Sequence, residues 1–134
     1  SLINVIYSLN NLIHKLKRNS LYGKTSYYGK DFHGRKTASG TIYNMYELTC
    51  ASPTLRLGTK IKVTNIKNNK SVIVTVNDRG PYKMDNTGKA VFPLKSHPTR
   101  IIDLSKAAFM KIAKINQGVI KVKIQKIWMK IYQF

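Results

Sequence analysis

Between residues 119 and 127 apolar and polar side chains alternate. Ile120, Val122 and Ile124 fall on one face, and Lys121, Lys123 and Gln125 on the other. A period of two predicts a half-buried strand with the even positions inside. Residues 71–77 read the same way, with Val72, Val74 and Val76 on one face. Residues 60–66 form a second such run, and Lys67-Asn68-Asn69-Lys70 between them is a hairpin signal. Residues 25–28 and 101–104 are shorter strand candidates, while 42–51 fits strand or helix equally well.

Two stretches follow a helical period instead. Leu2, Val5, Ile6, Leu9, Leu12, Ile13 and Leu16 recur at steps of three and four, which predicts an amphipathic helix over 2–17. Lys15, Lys17 and Arg18 gather at its end, where they oppose the helix dipole. This helix is expected to pack on the domain, the sharper alternative being a basic helix on a membrane surface. Ser105 is a plausible N-cap for a second helix to about Lys114, with Ala107, Ala108, Phe109 and Ile112 as its buried side. The tail 128–134 is aromatic and basic and is expected to pack against the first helix. Two long polar loops, 29–40 and 82–99, complete the chain. Loops of that length in a compact domain point to function. The sum predicts a small β-barrel with helical additions.

With 134 residues, 43% of them hydrophobic, the chain suits one globular domain and not a disordered one. No apolar run is long enough for a membrane span. A single cysteine, Cys50, rules out an internal disulfide. The chain opens on Ser1, which leaves room for an export segment upstream of it.

Charge changes the picture more. Twenty-four Lys and Arg against 5 Asp and Glu give a net charge of +19. Such a field draws polyanions: acidic wall polymers, anionic lipid or nucleic acid. The lysines are scattered and no nucleic-acid signature accompanies them, so nucleic acid ranks below the wall reading. A chain rich in Lys, Asn and Ile together is also what a biased base composition of coding DNA produces, without selected binding. One Cys and three dispersed His (His14, His33, His97) offer no zinc spacing. No metal and no cofactor is expected.

The carboxylates are Asp31, Glu47, Asp78, Asp85 and Asp103. Asp78 ends the 71–77 strand on the face of its valines and opens the turn Asp78-Arg79-Gly80-Pro81. A carboxylate at the rim of an apolar stripe is a candidate general acid, and equally a turn cap. Gly80 suits a turn conformation closed to other residues. Asp103 reads as structural, bonding backbone near the start of the second helix.

Four motifs occur in order: Ser26-Tyr-Tyr-Gly29, Phe32-His-Gly-Arg-Lys-Thr-Ala-Ser-Gly40, Val76-Asn-Asp-Arg-Gly-Pro81 and Arg100-Ile-Ile-Asp-Leu-Ser105. Leu57-Gly-Thr59 and Val63-Thr-Asn65 lie between them. Together they resemble the rare-lipoprotein-A family of bacterial septal-ring lytic transglycosylases, over residues 24–127. The resemblance implies a mainly β fold, a six-stranded double-psi β-barrel shared with expansins, flanked by the 1–20 helix and the 128–134 tail. It also implies a cleft for peptidoglycan glycan strands, a place in the bacterial cell envelope, and a monomer that meets the divisome or the membrane surface. Lytic transglycosylation needs no water. The sugar's own C6 hydroxyl closes on the anomeric carbon to give a 1,6-anhydro end.

By the same resemblance Asp78 is the catalytic acid/base. Tyr28 offers a ring to a sugar, and His33, Thr37, Ser39 and Arg79 line the cleft. Thr41 and Ser52 stand where the family carries an acid and a histidine, and Asn44 where it carries an Asp. Thr41 and Ser52 can hydrogen-bond a sugar but cannot act as acids at neutral pH. Two readings beside the enzyme therefore stay open: a wall-binding module that no longer cuts, and a basic nucleic-acid-binding domain. The 82–99 loop is longer than the family's, and its His97 is a candidate substitute for the missing histidine.

Overall fold

The computed structural model describes residues 1–127. It contains helix α1 (Leu2–Arg18), then strands β1 (Ser20–Tyr28), β2 (Thr49–Ala51), β3 (Lys60–Asn65), β4 (Ser71–Asp78) and β5 (Arg100–Ser105). Helix α2 (Lys106–Ile112), a 3-10 turn (Ile115–Gln117) and strand β6 (Ile120–Lys126) follow. The six strands close into a barrel in the order β1-β5-β2-β4-β3-β6. The pairs β1–β5 and β2–β4 are parallel, and the other four are antiparallel. This is the mainly β, double-psi barrel that the sequence leads one to expect.

The alternating stretches supply the barrel core. Val72, Val74 and Val76 from β4 meet Ile61 and Val63 from β3 and Ile120, Val122 and Ile124 from β6, all buried. Ile102 and Leu104 of β5 complete the interior, and α2 lays Ala108, Phe109 and Ile112 against it. Ser105 caps α2 as its sequence predicts, its Oγ accepting the Ala108 N–H at 3.3 Å.

Three expectations change. β1 begins at Ser20, five residues before the predicted strand, because its first half pairs with β6 from Ser20↔Gln125 to Thr25↔Ile120. Of residues 42–51 only Thr49–Ala51 form a strand. Helix α1 does not pack on the barrel: every side chain described in it, from Leu2 to Lys15, is exposed. The physical reason is closure. The barrel interior is already filled by its own strands and by α2, which leaves no open apolar face for a second helix. The tail 128–134, expected to pack on α1, lies outside the described residues.

Candidate active site

The parallel partner strands β1–β5 and β2–β4 bring Tyr28, Asp78 and Asp103 together at one end of the barrel. A cleft of about 550 Å³ opens there. Its floor is Ala51, flanked by Asp78 and Asp103. Ala51 is the strand partner of Asp78 on one side and of Asp103 on the other. Two strand spacings place the two Cα atoms roughly 10 Å apart. The register of β2 on β4 shifts between Cys50 and Ala51, so that Cys50 faces Val76 but Ala51 faces Asp78. Without that irregularity Asn77 would face Ala51. The irregularity thus sets Asp78, rather than Asn77, beside Ala51.

The two carboxylates differ in surroundings. Asp78 Oδ1 accepts backbone N–H bonds from Ala38 at 3.0 Å and Arg79 at 2.8 Å. It therefore fastens the 35–42 loop to the end of β4. Asp103 is paired with Arg100, Nη1 to Oδ1 at 3.1 Å and to Oδ2 at 3.3 Å. Burial pushes the Asp103 carboxyl up to about 6, against the opposing pull of Arg100 and of the Ser26 backbone. About half of it is protonated at pH 6 and about a tenth at pH 7, which leaves a protonated fraction that can act as a general acid. The sequence marks Asp103 as a structural residue that bonds backbone near the helix start. In the fold Ser105 caps the helix, while Asp103 bonds the Ser26 backbone and Arg100 and also lines the cleft.

One wall is aromatic. The Tyr28 ring stacks on Tyr43 at 4.4 Å between centroids and meets Phe32 edge-on at 5.9 Å. The Tyr43 hydroxyl donates to the Tyr28 carbonyl oxygen at 2.5 Å. Burial, then Tyr43 and Asp78, drive the Tyr28 phenol far above the ordinary tyrosine range, so it stays a neutral hydroxyl. Tyr82, Met84 and Ala90, all from the long 82–99 loop, line the cleft as well. That loop folds back on itself through the bridges Tyr82↔Ser96 and Met84↔Ala90. Asp85 holds its tip, accepting from Thr87 Oγ1 at 2.6 Å and from the Thr87 N–H at 2.8 Å.

Of the residues singled out in the sequence, Tyr28, Asp78 and Arg79 line this cleft. The Arg79 guanidinium is occupied, with Nη1 donating to the carbonyls of Ser52 at 3.0 Å and Leu55 at 2.5 Å. Thr37, Ser39 and Thr41 form a hydroxyl cluster with contacts of 2.9–3.0 Å. Ser39 and Thr41 border a neighbouring hollow with Glu47 and Asn77. His33 lies outside both, its Nδ1 accepting the Met45 N–H at 3.2 Å. Ser52 is buried, and its Oγ accepts the Leu55 N–H at 2.9 Å. His97 lines a small pocket together with Ser52 and Arg100. Its Nδ1 accepts the N–H groups of Thr99 and Arg100. Burial and Arg100 lower its pKa, which favours the neutral ring. Sequence reasoning gave Asp103 a structural part only, and assigned no cleft role to Arg100, Tyr82, Met84 or Ala90. The motif Arg100-Ile-Ile-Asp-Leu-Ser105 was the available signal for the first two.

Residues 20–124 match the family model described as lytic transglycolase. The chain belongs to this family. It is 48% identical over 105 residues to the endolytic peptidoglycan transglycosylase RlpA of Neisseria meningitidis, covering 78% of this chain and 38% of that protein. The chain thus spans well under half the length of this curated relative. Among solved structures it is similar to the Streptomyces papain inhibitor, at TM-score 0.57 and 24% identity, over 81% of this chain and 94% of that one. A Clavibacter michiganensis expansin mutant in complex with cellohexaose gives TM-score 0.56 and 17% identity, over 81% and 50%. At these identities the two structures establish the fold alone. Among the described residues of this lytic transglycolase member, no group of three or more His, Cys, Asp or Glu could hold a metal ion.

Proposed function

We propose that the chain is a peptidoglycan lytic transglycosylase of the bacterial cell envelope, and that Asp103 and Asp78 together carry the chemistry. The observation behind this reading is the pair of carboxylates set on either side of Ala51 beneath an aromatic wall. A glycan strand lies in the cleft with a sugar against Tyr28 and Phe32. The Asp103 carboxyl gives its proton to the glycosidic oxygen as the bond from the anomeric carbon breaks. The C6 hydroxyl of the same sugar attacks that carbon and closes the 1,6-anhydro ring. Its proton passes to Asp78, and exchange with solvent returns both carboxyls to their starting states. Arg100 holds the Asp103 carboxylate in place once it is charged.

This assignment gives the reaction two carboxyl groups although Thr41 and Ser52 replace the family's acid and histidine. The name of the Neisseria relative supports the substrate class. The test is digestion of intact and of peptide-stripped peptidoglycan by the parent and by Asp103→Asn and Asp78→Asn, with soluble fragments read by mass spectrometry. Anhydro ends from the parent and a loss of roughly 100-fold or more in each variant are expected. Co-sedimentation with the polymer and no fragments from the parent would instead make the chain a wall-binding module.

A further inference from the structure

Helix α1 presents an apolar stripe to solvent. Leu2, Val5, Ile6, Leu9, Leu12 and Ile13 share one side and are between 47% and 74% exposed. Asn4, Ser8, Asn11 and Lys15 occupy the other side, with Tyr7 among them and Ile3 at its edge, and α1 contains no Asp or Glu. Its sequence ends on His14-Lys15-Leu16-Lys17-Arg18. A 17-residue helix with such a stripe is marginal in water and needs a surface to cover it.

A second, independent feature begins where the helix ends. Only Asn19 separates α1 from β1. The adjacent strands β3, β6 and β1 hold no Asp or Glu. On their outer face Lys24 stands directly opposite Lys121, and Tyr22 opposite Lys123. Lys62 flanks them on β3, opposite Gln125. Like charges directly opposite each other destabilise a sheet, so this face lacks an internal reason for its pattern. Tyr22 stands 61% exposed among these lysines.

We propose that α1 and the outer face of β1, β6 and β3 form one docking surface for an anionic phospholipid membrane. The stripe of α1 lies at the acyl boundary, and Lys24, Lys121, Lys123 and Lys62 meet lipid phosphates. Tyr22 sits at headgroup level, where amphipathic rings belong. Other occupants satisfy only half of the surface. Nucleic acid or an acidic polymer would neutralise the lysines and leave the stripe in water. A second copy would cover the stripe but bring a +19 chain against a +19 chain. No described helix is long and apolar enough to cross a membrane, which fits α1 lying flat. The surface is separate from the cleft, so this proposal stands or falls apart from the catalytic one.

The experiment is vesicle flotation of the whole chain, with phosphatidylcholine alone or mixed with phosphatidylglycerol, at low and high salt. Two variants accompany it: Leu9→Gln/Ile13→Gln in the stripe and Lys24→Gln/Lys121→Gln on the sheet. Thermal melting checks that both keep the barrel. The chain is expected to float with the anionic vesicles only, and less at high salt. The stripe variant should lose flotation, and the lysine variant should bind about fivefold more weakly per lysine removed. Equal flotation with both vesicle types would overturn the proposal, as would unchanged binding by the stripe variant. So would a dimer in solution that the stripe variant abolishes.

Discussion

Asp78 and Asp103 share a single strand partner, Ala51, one from β4 and the other from β5. Twenty-one residues, mostly the 82–99 loop, lie between β4 and Asp103's strand, yet the strand order β5-β2-β4 sets the two carboxylates on one floor. The smallness of Ala51 keeps that floor open between them. Their environments differ. Asp78 is held by backbone N–H groups, whereas Asp103 is half-enclosed beside Arg100.

The first expected consequence concerns stability. The folded-state value of about 6 for Asp103 lies above its ordinary value of 3.8, so the fold favours the protonated form. That contribution, about 3 kcal/mol, is complete below roughly pH 4 and is lost as pH rises through 6. Urea unfolding of the parent and of Asp103→Asn across pH 4 to 8 measures it. The parent's advantage from this group should shrink over that range, whereas an advantage that grows with pH would contradict the assignment.

Gly23 is fixed by its neighbour. A Cβ added there would lie 2.5 Å from Ile101 Cγ2. Gly23→Ala should therefore destabilise the chain by about 1–3 kcal/mol, read from the urea midpoint. The double variant Gly23→Ala/Ile101→Ala, which removes the clashing γ carbons, should lose less than the sum of the two single variants.

Cys50 is fully buried in the core, and burial pushes its thiol up to about 12. Reagents that need the thiolate should label it only after unfolding. Labelling of the native chain at the rate of a free thiol would show that the core is not closed as described.

Phe32 is half exposed and meets Tyr28 edge-on. Phe32→Ala should leave the melting temperature nearly unchanged while weakening binding of soluble glycan strands by about 2–12-fold, the range of one aromatic contact. Titration calorimetry distinguishes this from a loss of fold.

Much of the fold was legible because local patterns and packing agreed. The alternation over residues 119–127 places Ile120, Val122 and Ile124 inside, as β6 does. The valines of 72–76 and the cap at Ser105 behave the same way. Gly80, expected in a turn closed to other residues, has φ +112°. The misses are long-range. The first half of β1 has no alternation of its own and becomes a strand through β6. The register shift at Cys50/Ala51 leaves no mark on either strand's periodicity, yet it sets Asp78 beside Ala51. Asp103 faces the cleft because β5 lies between β1 and β2, an order that no local pattern encodes. The packing expected of α1 failed because amphipathicity reports a face that needs covering and not what covers it.

The most direct test of the paired-carboxylate mechanism is the rate of 1,6-anhydro end formation by the unaltered chain between pH 4 and 8. If Asp103 must be protonated to act, the rate falls by about tenfold per pH unit above 6, following its ionisation. A rate that rises through pH 6, or an absence of anhydro ends at every pH, would contradict it.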